Sequence, residues 1–88
     1  MPRKVNSSLQ TLFNSSNLNG RANLIWEHGE FIVSREYYGN KVNLYALPSF
    51  YAETYYSPDQ LRIFRIEPIT DFQGLSKFLP NIDLKLDW

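Results

Sequence analysis

The chain has 88 residues, enough for one domain around a modest core, because a chain of this size buries only about 60% of the surface its unfolded form exposes. Nine Lys and Arg balance nine Asp and Glu, so no net field draws it toward nucleic acid or an anionic membrane. Cysteine is absent, which excludes disulfides, thiolate catalysis and cysteine zinc sites and suits a reducing compartment, so the expected location is cytoplasmic.

Taken in chain order, the opening MPRKVNSSLQ carries basic residues with no apolar run behind them. The longest apolar run, Leu24 to Trp26, is far too short to cross a bilayer, so neither export nor membrane insertion is expected. Val5 to Ser16 reads as a helix, with Ser7 and Gln10 at capping-box spacing and Leu9, Leu12 and Phe13 on one face. Asn17 to Gly20, rich in residues that tolerate left-handed backbone, is expected to end it.

From Arg21 to Glu67 the pattern turns to period two, broken by turn signals at His28-Gly29, Gly39-Asn40, Pro48-Ser49 and Pro58-Asp59. That predicts five strands in an antiparallel meander. Gly39-Asn40 suits a type II′ turn, while Pro48-Ser49 is the weakest signal and reads as a bend or bulge as readily as a turn. A second helix follows in ITDFQGLSKFLP, with Thr70 and Gln73 at capping-box spacing and Pro80 as its stop. The tail NIDLKLDW alternates strictly and reads as a sixth strand with one apolar side. It needs a sheet edge to pair with, its own or that of another copy. With no repeat or linker in the sequence, residues 1–88 make a single α+β domain.

Closing the hairpins with two-residue loops assigns the faces. Trp26 then opposes Phe31, Leu24 opposes Val33, Ala22 opposes Arg35 and Arg21 opposes Glu36. In the next hairpin Tyr37 opposes Val42, Arg35 opposes Leu44 and Val33 opposes Ala46. One face becomes a core face interrupted by Arg35, which both helices are expected to cover. The other face carries Ile25, Ile32, Tyr38, Tyr45 and Leu47, too apolar to be wholly wet. Continuing through Pro48-Ser49 sends Tyr51, Glu53 and Tyr55 to the core side and Phe50, Ala52, Thr54 and Tyr56 to the other. Arg35 and Glu53 then flank Leu44 and are placed to meet over it.

Catalytic signatures are missing: no P-loop, dinucleotide fingerprint, zinc-protease or nucleophile-elbow motif occurs. His28, between Glu27 and Glu30, reads as a solvated turn, since neighbours on a ribbon do not converge as metal ligands must. Neither a cofactor nor a metal is expected. The polar cluster of Arg35, Glu53, Arg62 and Arg65 reads either as a structural ion-pair network or as an anion site. Aromatics interleaved with Arg in SFYAETYYSPDQLRIFRIEP are able to stack bases, but Glu53, Asp59 and Glu67 cancel Arg62 and Arg65, which argues against nucleic acid. The leading expectation is a non-enzymatic interaction or regulatory module. Its partner would be itself, as a homodimer, or another protein, met through Tyr38, Tyr45, Leu47, Phe50 and Tyr56 or through the tail and Trp88. The alternative is a small-ligand or single-stranded nucleic-acid binder built on the Arg/Tyr-rich sheet.

Overall fold

A computed structural model describes residues 3–81, with the side chains of 9–80. The elements in chain order are α1 (Arg3–Ser15), α2 (Leu18–His28), β1 (Glu30–Tyr37), β2 (Asn40–Leu47), β3 (Phe50–Ser57), β4 (Arg62–Ile69), α3 (Phe72–Ser76) and a 3-10 turn (Leu79–Asn81). The strands form one open antiparallel sheet in the order β1-β2-β3-β4. The class is α+β and the sheet is a meander, but it has four strands rather than five. The alternating tail from residue 82 onward, with Trp88, lies outside the described residues.

The missing strand is α2. Asn17 starts this helix instead of closing the one before it, because its Oδ1 accepts the Gly20 N–H at 2.9 Å and so caps an exposed amide. Arg21, Leu24 and Ile25 are spaced i, i+3 and i+4 and face inward together, with Leu24 and Ile25 buried. The strand-like alternation of Ala22, Leu24 and Trp26 is therefore incidental, and none of the pairings expected between this stretch and β1 forms. Arg21, expected opposite Glu36, instead ties both N-terminal helices to the sheet. It donates from Nε to the Phe13 carbonyl at 2.9 Å, from Nη1 to that of Ile66 at 2.6 Å and from Nη2 to that of Asn14 at 3.0 Å.

The β1–β2 turn centres on Tyr38 and Gly39, one residue earlier than expected. Both have positive φ, 49° and 83°, the pattern of a type I′ rather than a type II′ turn. Arg35 consequently faces Val42, and Val33 faces Leu44. Because this shift from the expected register is even, those side chains keep their assigned face. A bulge between Phe31 and Val33 then moves Phe31 to the opposite face, beside Tyr45. Pro48 and Ser49 make a full two-residue turn, with Leu47 opposite Phe50. The last hairpin has the longer loop 58–61, with Leu61 at φ 53°, and a second bulge sets Tyr55 opposite Arg65 but Tyr56 opposite Ile63.

Each sheet face has its own cover. On one, Val42, Leu44, Tyr55 and Ile69 pack with Phe78 and with Leu75 of α3. On the other, Leu47, Phe50, Ala52 and Ile66 pack with Phe13 of α1 and Leu24 and Ile25 of α2. The helices thus lie on opposite faces and not together on one. Both faces carry more apolar surface than water tolerates, so each requires a layer above it.

Helix ends differ from expectation as well. α1 starts at Arg3, which places Ser7 and Gln10 inside the helix and not at its cap. Asp71, not Thr70, caps α3, its Oδ1 accepting from the Gly74 N–H at 2.9 Å. α3 stops at Ser76, before Pro80, which sits in the 3-10 turn. Among the described residues, no helix is long and apolar enough to cross a membrane.

Candidate functional site

The strand parity that carries Arg35 and Glu53 onto one face also brings them together. Arg35 Nη2 lies 3.5 Å from Glu53 Oε1, with Glu53 buried and the Arg35 side chain 11% exposed. Lys77 Nζ approaches Glu53 Oε2 at 3.9 Å from the more exposed side, and the Tyr55 hydroxyl donates to the same oxygen at 3.3 Å. The Arg35 guanidinium sits over the rings of Phe78 and Tyr37, at 4.9 and 5.5 Å. Burial pushes the Tyr55 phenol above its ordinary value, and the Glu53 carboxylate adds to the push against Arg65 and Arg35. One donor and one acceptor, Arg35 Nε and Glu53 Oε1, are buried without a hydrogen bond.

The other two members of the expected polar cluster do not join this pair. Arg65 stacks on Tyr55 at 4.8 Å and pairs with Glu67 at 3.4 Å, while Arg62 lies exposed at the start of β4. Glu53 is buried, the Arg35 guanidinium lies against the Phe78 ring and Lys77 reaches the carboxylate from the exposed side, a setting that fits a structural ion pair better than an open anion site. His28 ends α2, exposed, with Nε2 3.6 Å from Glu27 Oε1. Among the described residues, no three His, Cys, Asp or Glu side chains converge as metal ligands would.

The expected contact residues divide differently. Leu47 and Phe50 are each 7% exposed and belong to the core beneath α1 and α2, so the chain's own helices occupy the surface expected for a partner. Tyr45 and Tyr56 are half-buried, and Tyr38 stands in water on the β1–β2 turn. The helices leave one end of this sheet face uncovered. There a groove of about 280 Å³ runs between α2 and the sheet, lined by Ile25, Trp26, Tyr45, Thr54, Ile63 and Ile66 among others. Trp26, at 89% exposure, forms its rim, and Phe31 packs edge-on against Tyr45 at 5.8 Å.

Trp26, Phe31 and Ile63 escape a reading in strands because α2 and both bulges set their positions. Helical spacing from the Asn17 cap holds the missing signal: with Arg21, Leu24 and Ile25 inward, Trp26 is left as a large apolar side chain outside the core. A broader depression of about 510 Å³ lies between the β2–β3 turn and α3, but Asp71, the one carboxylate among the described residues that line it, is engaged as a helix cap. Among the described residues, the groove's lining is mostly apolar, with hydroxyls on Thr54 and Tyr45 and no charged side chain, a composition suited to holding a largely apolar group. No protein-family model, no curated protein and no solved structure matches the chain.

Proposed function

We propose that the protein is a non-enzymatic interaction module that associates with a second copy of itself through the uncovered end of the second sheet face. The observation carrying this reading is Trp26, 89% exposed at the rim of an apolar groove that the exposed Ile63 also lines, with the exposed Phe31 packed on Tyr45 of the same groove. Single exposed apolar side chains are ordinary, but a Trp beside an apolar groove has the composition of an interface centre. Sedimentation equilibrium across a wide concentration range tests it. A dimer that Trp26→Glu converts to monomer is the expected result, and a wild-type monomer at every concentration overturns the reading.

A second reading rests on the opposite face, where the exposed Arg65, Phe64 and Tyr37 surround the buried Tyr55 ring, Phe64 at 6.0 Å and Tyr37 at 5.9 Å, and make an aromatic and cationic strip. Such a strip suits stacking with single-stranded bases. Binding of an oligonucleotide that falls steeply with salt and is lost in Phe64→Ala supports this alternative.

A further inference from the structure

β1 ends at Tyr37, β2 begins at Asn40, β3 ends at Ser57 and β4 begins at Arg62, and the strand register sets these four side by side as the last row across the sheet. Alternation puts their side chains on the face that carries Arg35, Val42, Tyr55 and Arg65 in the next row of that face. α3 and Phe78 cover part of this face, but at its end Tyr37, Phe64 and Arg62 are exposed. A notch of about 350 Å³ opens there, lined by Asn40, Ser57, Gln60, Arg62 and Phe64.

The notch is a cationic spot in a chain without net charge. Of the acids that balance the arginines in the sequence, Glu53 is engaged by Arg35 and Lys77, and Glu67 by Arg65 and Arg21. Among the described residues the Arg62 side chain meets no carboxylate, and none lines the notch. Ser57 Oγ accepts from the Gln60 N–H at 3.3 Å, which leaves its own proton to donate. A guanidinium fork beside hydroxyl and amide donors suits a phosphate, and the exposed Phe64 ring on the notch wall suits the face of a base. Resting on the stacking reading of this face, we infer that the notch is a nucleotide subsite: the base lies on Phe64, and the phosphate pairs with Arg62 and accepts from the Ser57 hydroxyl and the Gln60 side-chain amide. A free mononucleotide and a single-stranded nucleic acid share this chemistry, one ring joined to one phosphate.

Titration of the full chain with adenosine 5′-monophosphate, adenosine and inorganic phosphate, followed by NMR, tests the subsite. The monophosphate should bind about tenfold more tightly than either of its parts, shift the Phe64 and Arg62 resonances and weaken as salt rises, while adenosine binding should be indifferent to salt. Arg62→Gln should bring the monophosphate down to the affinity of adenosine, and Phe64→Ala should weaken both about tenfold. Lys41→Gln, which removes an exposed positive charge from the opposite face, should change neither. Arg62 and Phe64 are exposed, so circular dichroism should report an intact fold in both variants. A monophosphate that binds no better than adenosine, or one indifferent to Arg62→Gln, overturns the subsite; oligonucleotide binding still lost in Phe64→Ala would then leave the stacking reading standing. Binding of neither monophosphate nor oligonucleotide removes both. Where Arg62→Gln does weaken binding, the subsite stands, and an adenylate oligonucleotide held more tightly than the monophosphate identifies the ligand as a single strand, equal affinity as a free nucleotide.

Discussion

Removing the Glu53 carboxylate leaves the Arg35 guanidinium buried without its counter-charge, with only the Phe78 and Tyr37 rings against it. Glu53→Ala should therefore cost about 3–5 kcal/mol in urea unfolding, whereas the double replacement Arg35→Met with Glu53→Leu should recover most of that loss. Arg21→Lys should cost about 2–3 kcal/mol by the same measurement, since a single ammonium cannot reach three carbonyls on two elements as the guanidinium does. Tyr55 adds a pH dependence. Its folded pKa lies above the unfolded value of 10.0, chiefly through burial and then through Glu53, so the proton is held more tightly in the folded state. The associated stability is full below pH 10.0 and is lost as pH climbs through the raised folded value, a loss that Tyr55→Phe should lessen in alkaline unfolding curves. The meeting of Arg35 and Glu53 is legible in the sequence because strand parity alone sends both to one face. The clamp made by Arg21 is not, because it exists only once α2 is a helix.

At the scale of elements, the turns carry the clearest conformational demands. Gly39 has φ 83° with nothing within 4 Å of where a Cβ would sit, so Gly39→Ala should cost about 1 kcal/mol through backbone conformation and not through a clash. Leu61 also adopts positive φ, at 53°, and is 73% exposed. Leu61→Gly should accordingly raise stability by about 0.5–1 kcal/mol, read as a higher midpoint in urea. The turns between the four strands were readable from Gly, Pro, Asn and Asp, whereas His28-Gly29 joins α2 to β1 and turns no hairpin; the turn type was not readable, because a one-residue shift at Tyr38-Gly39 exchanges type II′ for type I′. The bulge at Ile32 was invisible for a related reason. It answers to the fit between β1 and β2, and it takes Phe31 from the first face to the second.

For the whole molecule, the decisive feature is that both sheet faces are covered, but unequally. α1 and α2 bury Leu47 and Phe50 but leave Tyr45 half-buried, with the groove at the end where α2 presents Trp26. If that end is the dimer surface, folding and association are linked. The Tm should then rise with protein concentration, and Trp26→Glu should make it independent of concentration. A constant Tm in the wild-type chain would count against the interface.

The class of this protein was legible in the sequence, because the period-two pattern read from Arg21 to Glu67 holds as an antiparallel meander from β1 onward and because, for Val33 and the residues after it through β3, the face depends only on parity, which survived an even shift in register. The sequence also determined the partnership of Arg35 with Glu53 and the surplus of apolar residues on the second face. The tertiary structure alone decided that residues 18–28 form a helix, since Ala22, Leu24 and Trp26 satisfy period two while Arg21, Leu24 and Ile25 satisfy a helical period, and only burial against β4 and α1 favours the second. From that choice came the separation of the helices onto opposite faces, the burial of Leu47 and Phe50, and a groove whose rim is a tryptophan that the strand reading had assigned to the core.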